Sequence, residues 1–258
     1  MVARADRFGR HWGVLGTRPF DSCVHRYHMK FKLDTVFTVA MVACAVVTVG
    51  VLIHHEFFPP ATALATSANR KPVFVNDWKA EMSHGSRIGP VGASVQIMEF
   101  ADFECPFCAG FHSLLKDLRR QYPNQVSIVY VDFPLSMHRF AIPAIRAVEC
   151  ASSQGRFDKM YDLLFDQQQQ LGLKSWREYA SDADVPDLDA FDSCVKRADP
   201  IPRLEEGKKL GDRLNVKATP TVIINGWMLP EPPTSEELGS LVRTILAGKD
   251  PFGRAGSS

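Results

Sequence analysis

The chain has almost no net charge. Its 258 residues include 30 Lys and Arg against 29 Asp and Glu, a formal net charge of +1 at pH 7. Both signs are mixed along the sequence beyond residue 53, so no basic stripe is available for the phosphates of a nucleic acid. We therefore predict no nucleic-acid partner.

Cysteine is also sparse, with six in the chain, and only one pair is closely spaced. Cys105-Pro106-Phe107-Cys108 separates two thiols by two residues, whereas Cys150 and Cys194 stand alone. A structural zinc site needs a second close pair of ligands, and His112 and His138 would have to be gathered from separate elements. We predict no metal here and favour dithiol redox chemistry over half of a zinc site.

The cysteine motif lies between a strand and a helix. Residues 95–100 read as a buried strand, and residues 109–122 have apolar positions at helical spacing. Cys105 would then lie at the positive end of the helix, which favours the nucleophilic thiolate. Pro106 suits the first helical turn. Cys105 is the predicted attacking thiol, and Cys108 the resolving thiol that attacks it in a mixed disulfide.

A second motif follows much later, where Ala218-Thr219-Pro220-Thr221 precedes a β-branched strand and an Asn-Gly turn. Glu99-Phe100, Phe103, the cysteine motif and Gln154-Gly155-Arg156-Phe157 come before it in that order. Together these residues resemble the DsbA-like branch of the thioredoxin superfamily, over roughly residues 90–247. The resemblance implies a thiol–disulfide oxidoreductase with a thioredoxin fold.

The resemblance also implies roles for the residues around the two motifs. Pro220 would follow a cis peptide bond and lie against the cysteine pair, completing the active site. Thr219 would offer backbone groups to an extended client segment, as an added strand does. Pro106, Phe107, Thr219 and Pro220 are the predicted client-binding residues. The alternative for Pro220 is an ordinary strand-initiating proline.

Glu99 is an acid on an otherwise apolar strand, which is costly unless the group is partnered, protonated or hydrated. The resemblance implies a buried catalytic acid that exchanges a proton with Cys108. The alternative is a strand-end acid satisfied by a lysine or by water. Asp102 and Glu104 are expected to be solvated loop acids. His138 is assigned a structural hydrogen-bonding role rather than a catalytic one.

Phe107 departs from the family pattern, because strongly oxidising members usually carry His before the second cysteine. Without an imidazolium nearby, the Cys105 thiolate should be less stabilised, and a less stabilised reduced form makes a weaker oxidant. We predict a reduction potential between those of strong periplasmic oxidants and thioredoxin.

Cys150 and Cys194 are predicted to form a structural disulfide. Cys150 lies on the apolar face of a helix over 142–151, and Cys194 lies on an amphipathic stretch over 188–197. The pairing also resembles that of some family members. The alternative is two buried free thiols packed as small hydrophobic groups.

Residues 36–53 form an uncharged run of 18 residues, about long enough to span a bilayer. Basic residues outnumber acidic ones upstream, which predicts a cytoplasmic N-terminus and a catalytic domain in the periplasm or another extracytoplasmic compartment. Cleavage after Ala63, Ala65 or Ala68 is the competing interpretation. An uncleaved anchor is favoured, because residues 54–60 separate those sites from the apolar run. Met29 is an alternative start.

The predicted fold class is α/β, a thioredoxin fold with an inserted helical subdomain, preceded by one N-terminal transmembrane helix. Met137, Met160, Phe165 and Trp176 are expected in the core. The predicted organisation is a basic, disordered cytoplasmic segment over 1–33, an anchor or uncleaved signal over 34–53, a linker over 54–72, a DsbA-like domain over 73–250 with its insertion over about 140–197, and a tail over 251–258.

The predicted function is a membrane-anchored enzyme that introduces disulfides into exported cysteine-containing proteins through the Cys105–Cys108 couple. A membrane redox partner would reoxidise it, and no bound cofactor is required. One alternative is a reductase or isomerase, which is disfavoured because no dimerisation module is recognisable. The other is a non-catalytic, redox-gated peptide-binding module.

Overall fold

The computed structural model describes residues 35–51 and 70–253. The chain divides into two units, Met1–Thr66 and Ser67–Ser258. In the first unit, residues 35–51 are helical with exposed side chains. Neither described range contains a helix long and apolar enough to cross a membrane. The predicted anchor over 34–53 reaches past the described residues at both ends, and the predicted segment 1–33 lies outside them, as do most of the linker and of the tail.

The second unit is built on a six-stranded sheet within residues 70–253, with strand order β1-β6-β5-β3-β4-β2. Strands β3 and β4 are parallel, and the other neighbouring pairs are antiparallel. The strands are β1 Val73–Phe74, β2 Ser86–Ile88, β3 Val95–Ala101, β4 Val126–Asp132, β5 Thr221–Ile224 and β6 Trp227–Met228.

The helices of this unit flank the sheet and form one insertion. They are α1 Trp78–Glu81, α2 Pro106–Gln121, α3 Ala141–Ser152, α4 Phe157–Asp166, α5 Trp176–Asp182, α6 Leu188–Val195, α7 Pro202–Arg213 and α8 Ser235–Leu246. Helix α2 crosses between the parallel strands β3 and β4, the connection that parallel pairing requires. Helices α3 to α6 form the insertion, from Ala141 to Val195.

The side chains of β3 point alternately to the two faces of the sheet and therefore pack against different helices. Val95 and Ile97 pack against α2 and α8, whereas Met98 and Phe100 face α7 on the opposite side. Successive side chains of a strand point to opposite faces, so Glu99 shares the face of Val95 and Ile97. The acid on β3 therefore points towards the helix that begins at the cysteine motif.

Two features of the fold differ from the expectations. Strands β1 and β2 were not predicted, because segments of two and three residues are too short to display an alternating pattern. Met137, expected in the core, lies in the loop after β4 and is 80% exposed. Met160 and Phe165 are buried, and Trp176 packs partly buried against the core of the insertion.

Candidate active site

Strand pairing brings the two sequence motifs together. Strand β5 runs antiparallel to β3 with Thr221 opposite Phe100. The start of β5, which follows Pro220, therefore lies beside the end of β3, from which the chain leads to Cys105. The Thr219–Pro220 peptide bond is cis. The Cys105 thiol lies against it, 3.5 Å from the Thr219 carbonyl oxygen to which it donates.

Cys105 is the N-cap residue of α2. Its backbone is extended, with φ −75° and ψ 119°, and Pro106 occupies the first helical turn. Its carbonyl accepts the amide of Ala109 at 3.2 Å, which closes that turn. The unpaired amides at this end of the helix point towards the sulfur, a geometry that suits a thiolate.

The two thiols have opposite acidities. The pKa of Cys105 falls to about 5, because the Cys108 thiol, Thr219 and the backbone amides of Cys108 and Phe107 favour its thiolate against the effect of burial. Burial raises the pKa of Cys108, and the neighbouring Cys105 and Glu99 raise it further. At neutral pH the site therefore holds one thiolate, on Cys105, and one thiol, on Cys108. Both cysteines are unpaired in this structure.

Glu99 is fully buried beneath this pair. Burial raises its pKa to about 8, and the negative charge of Cys105 contributes to the same shift. Tyr161 opposes this rise in pKa, because its hydroxyl favours the Glu99 carboxylate. Neither Glu99 oxygen has a partner that meets hydrogen-bond geometry among the described residues. No lysine pairs with Glu99 in the described part of the chain, so the alternative of an acid satisfied by a lysine is not observed there.

The loop before the motif is organised by Asp102, and here the sequence-based expectation was wrong. Asp102 is fully buried rather than solvated. Its carboxylate accepts the amides of Glu104 at 2.8 Å and Leu135 at 2.7 Å. His138 Nδ1 lies 2.7 Å from the same carboxylate, consistent with a structural role. Leu135 and His138 lie in the loop after β4, distant in sequence, so local pattern could not reveal these two partners.

Glu104 is half-buried rather than solvated. Its carboxylate accepts the backbone amide of Phe140 at 2.5 Å, which ties the motif loop to the start of the insertion.

Gln168 is a site residue that the sequence analysis missed. Its side-chain amide donates to the carbonyls of Phe103 at 2.8 Å and Cys105 at 2.9 Å. It comes from a short 3-10 turn, Gln168–Gln170, that follows α4. Within residues 70–253 it is the one donor that reaches the Phe103 carbonyl. The helical insertion therefore holds the loop that carries the attacking cysteine.

The predicted client-binding residues divide into two groups. Phe107, Thr219 and Pro220 line a groove of about 300 Å³ beside the cysteine pair, together with Ala218, Thr221 and residues 229–232. Phe107 is 76% exposed, whereas Cys105 is only 3% exposed. Pro106 is exposed but does not line this groove, so its clearest role is to start the helix.

Cys150 and Cys194 form a disulfide between α3 and α6. The bond closes a sequence separation of 44 residues within the insertion. In the described residues no group of three or more His, Cys, Asp or Glu side chains has a geometry that could hold a metal ion.

The thioredoxin family model matches residues 81–244, which contain both motifs and most of the sheet and helices described above. The chain belongs to the thioredoxin family. The match confirms the family to which the two motifs pointed.

Curated relatives include two bacterial proteins named Na(+)/H(+) antiporters. NhaA 1 of Mycolicibacterium gilvum is 32% identical over 164 residues, covering 62% of this chain and 26% of that protein. NhaA 3 of Salinispora tropica is 33% identical over 160 residues, covering 62% of this chain and 24% of that protein. The chain thus spans about a quarter of the length of these relatives.

Solved structures show the same fold at low sequence identity. Oxidised BdbD from Bacillus subtilis has a TM-score of 0.60 and 17% identity, covering 69% of this chain and all of that one (100%). The catalytic domain of Proteus mirabilis ScsC has a TM-score of 0.53 and 23% identity, covering 72% and 98%. Wolbachia pipientis alpha-DsbA1 has a TM-score of 0.55 and 16% identity, covering 64% and 92%. These likenesses show a thioredoxin-like α/β fold with a helical insertion.

Proposed function

We propose that this protein is a thiol–disulfide oxidoreductase that donates the Cys105–Cys108 disulfide to cysteine-containing client proteins outside the cytoplasm. The observation that carries the proposal is the contrast between the two thiols. Cys105 has a pKa lowered to about 5 at a helix N-terminus, whereas the pKa of the buried Cys108 is raised. A thiol of low pKa is a good leaving group, which favours handing a disulfide on to a client.

The transfer has two steps. A client thiolate attacks Cys105 of the oxidised enzyme, so the Cys105–Cys108 bond breaks and Cys108 leaves with its electron pair, taking a proton from Glu99. The client's second thiolate then attacks the client sulfur of the mixed disulfide, and Cys105 leaves as a thiolate. The client loses two electrons and two protons, and the enzyme gains two electrons.

Glu99 suits the proton exchange with Cys108 because its own acidity follows the state of Cys105. The thiolate charge of Cys105 raises the pKa of Glu99. A mixed disulfide removes that charge, so Glu99 ionises more readily when Cys108 must lose its proton to attack. In the mixed disulfide a larger fraction of Glu99 is therefore the carboxylate, the form that can accept the Cys108 proton.

The pKa of Cys105 also bears on the direction of electron flow. A value of about 5 lies between the values of about 3.5 for a strongly oxidising DsbA and about 7 for thioredoxin. This supports an intermediate reduction potential, as expected from Phe107 in place of His. Equilibration with glutathione buffers measures the potential, and a value at either extreme contradicts the proposal.

Client recognition is proposed to use the groove beside Pro220. The Thr219 amide has no hydrogen-bond acceptor within the described residues, so it is available to a client backbone. An extended segment that pairs with Thr219 and rests on Phe107 would deliver its cysteine to Cys105. The proposed clients are unfolded or partly folded exported proteins.

We further propose that residues 34–53 anchor the protein in a membrane, with the N-terminus cytoplasmic and the catalytic domain in the periplasm or an equivalent compartment. The uncharged run and the basic residues upstream of it support this orientation. A membrane redox partner would reoxidise the cysteine pair. In intact cells, a membrane-impermeant maleimide should reach Cys105 of the reduced protein but not Cys23, and labelling of Cys23 would contradict the orientation.

The decisive experiment follows the oxidation of a dithiol peptide by the oxidised protein. Wild type should oxidise the peptide stoichiometrically, and catalytically once an oxidant is supplied, whereas Cys105→Ala should not. Cys108→Ala, supplied instead with the peptide in its disulfide form, should form a mixed disulfide at Cys105 that the variant has no second thiol to resolve. Peptide binding without cysteine-dependent oxidation would replace the proposal with the redox-gated binding module. Faster reduction of client disulfides than oxidation of dithiols would replace it with the reductase or isomerase.

A further inference from the structure

Three buried polar side chains on the inner side of the cysteine pair have polar atoms without hydrogen-bond partners among the described residues. They are Glu99, with both carboxyl oxygens, Tyr161, with its hydroxyl, and His112, with both ring nitrogens. Burying an unpaired polar group costs about 1 to 3 kcal/mol, and such groups in folded proteins call for an explanation. Three of them adjoining one redox centre point to a shared role.

These groups adjoin one another in order. Burial raises the pKa of Tyr161, and the nearby Glu99 and Cys108 raise it further, while the Tyr161 hydroxyl favours the Glu99 carboxylate. Tyr161 therefore lies next to the inner end of the site. The His112 ring meets the Tyr161 ring edge-on, with 4.9 Å between their centroids. His112 also follows Cys108 by four residues on α2, so both side chains lie on the same face of that helix.

The outer end of this row reaches the protein surface. His112 is 1% exposed, and its Nε2 lies 3.4 Å from Asp162 Oδ1 and 3.9 Å from Asp166 Oδ1. The side chains of Asp162 and Asp166 are 28% and 42% exposed. Arg119 pairs with Asp162 at 2.6 Å, and Lys116 pairs with Asp166. Solvent thus meets the row at two carboxylates on α4.

We propose that Tyr161 and His112 are positioning residues that carry the proton of Glu99 to and from the surface at Asp162 and Asp166. This rests on the proposed function, because the proton must move each time Cys108 gains or loses its own. In oxidation of the enzyme, Cys108 attacks the Cys105 sulfur of a mixed disulfide and expels the partner thiolate. The Cys108 proton passes to Glu99 and then to the surface carboxylates and water, as the Tyr161 hydroxyl and the two His112 nitrogens come into hydrogen-bonding contact with their neighbours in turn.

The electrostatic setting suits such a route. Burial lowers the pKa of His112 to about 4, with Arg119 and Lys116 adding to the shift and Asp166 opposing it. The ring is therefore neutral at physiological pH, with one nitrogen that accepts and one that donates. The buried hydroxyl of Tyr161 can likewise both accept and donate a hydrogen bond. The row can move a proton without leaving a permanent charge beside Cys108.

The test isolates the step in which Cys108 loses its proton. Reduced protein is mixed with oxidised glutathione in dilute buffer at pH 7, and samples are quenched with acid for mass spectrometry. The measurement gives the rate at which the glutathione mixed disulfide at Cys105 forms and the rate at which it resolves to the Cys105–Cys108 disulfide. Failure of wild type to form the mixed disulfide would refute the proposed function, not the proton route.

Tyr161→Phe and His112→Ala should form the mixed disulfide at the wild-type rate and resolve it about tenfold more slowly, since positioned proton transfer contributes at least that much. Added imidazole should restore resolution in His112→Ala, where the ring has been removed, but not in Tyr161→Phe. The matched control is Tyr179→Phe, another buried tyrosine of the insertion, whose hydroxyl donates to the Gln167 carbonyl at 3.0 Å. It should resolve the mixed disulfide as wild type does.

Wild-type resolution rates in Tyr161→Phe and His112→Ala would overturn the proposal. A slowed His112→Ala that imidazole does not accelerate would overturn it as well, because the histidine would then act only through packing. Tyr161→Phe keeps the aromatic ring and its contacts, so its result stands even where His112→Ala folds poorly.

Discussion

The two cysteine pairs of this domain share one chemistry and differ in their position on helices. Cys105 caps the start of α2 and has a free thiol partner, whereas Cys150 and Cys194 lie in the last turns of α3 and α6 and are bonded to each other. A helix start favours a thiolate and a helix end disfavours it. Position on the helix therefore makes one pair reactive and leaves the other a crosslink.

The contrast extends to what surrounds each pair. Cys105 and Cys108 adjoin a buried acid, the Thr219 carbonyl and an open groove. Cys150 is fully buried in the apolar core of the insertion. A reactive disulfide needs polar groups that stabilise its reduced form, whereas a structural one is protected by apolar packing.

The largest expected effect is a difference in the free energy of unfolding between variants that lack one or the other cysteine pair. Removal of the crosslink in Cys150→Ser/Cys194→Ser should lower the free energy of unfolding by about 3 to 4 kcal/mol, because the open chain regains the entropy of a long loop. Urea denaturation with the cysteine pair reduced measures this. Cys105→Ser/Cys108→Ser is the matched control and should lose far less. Equal losses in the two variants would end the distinction between a crosslink and a reactive pair.

The second effect concerns Glu99. Glu99→Gln should slow resolution of the mixed disulfide by about a hundredfold at pH 8, because the acceptor of the Cys108 proton is gone. An unchanged rate in a quenched single-turnover experiment would remove Glu99 from the mechanism.

The same substitution has an effect on stability whose sign follows from the pKa. The pKa of Glu99 is raised from its usual 4.5 to about 8, so its favourable contribution is complete below pH 4.5 and is lost as pH rises through 8. Reduced Glu99→Gln should therefore gain stability relative to wild type as pH rises through this window. Parallel denaturation curves at pH 4 and pH 8.5 provide the measurement.

The third effect is the reactivity of Cys105. Alkylation by iodoacetamide should follow an inflection near pH 5, the pKa to which Cys105 is lowered. At pH 6 it should exceed that of an unperturbed thiol by about tenfold, since the larger thiolate fraction outweighs the lower nucleophilicity of a weaker base. Cys105 is measured in the wild-type protein with the crosslink intact, because the Cys108 thiol is itself one of the groups that lower its pKa. An inflection near pH 9 would mean that the helix start does not lower the pKa of Cys105.

The smallest effect concerns Gln168. Gln168→Ala should cost about 1 kcal/mol of stability and lower the rate of attack by Cys105 several-fold, because the Phe103 and Cys105 carbonyls lose their shared donor. Gln170→Ala, an exposed neighbour in the same turn, is the matched control. Equal behaviour of the two variants would mean that the insertion does not hold the motif loop.

The sequence was sufficient for the parts of the site set by local pattern. The strand before Cys105, the helix after it and the strand after Pro220 all have the periodicity or composition that such elements require, and the structure contains each of them. These elements depend on residues only a few positions apart. The burial of Glu99 was implied by the resemblance to the DsbA-like branch, and the structure buries its side chain fully.

The parts that were missed depend on contacts between distant segments. In the sequence Asp102 resembles a solvated loop acid, and only the folded chain shows that its carboxylate accepts the amide of Leu135 from the loop after β4. Gln168 belongs to a run of four glutamines, and nothing in that run distinguishes the one whose amide meets the Cys105 carbonyl. His112 and Tyr161 each fit an apolar helical face, and only the packing of α4 on α2 brings their rings together.

Cys105 is nearly inaccessible from solvent, with only 3% of its surface exposed. A cysteine on the surface of a folded globular protein cannot reach the buried Cys105 sulfur, whereas an extended, flexible segment can bind in the groove and bring its own sulfur into contact with it. The burial of Cys105 therefore selects unfolded over folded partner chains. Under the proposed function, unfolded chains would be oxidised, and chains that have already folded would not react, whatever thiols they display.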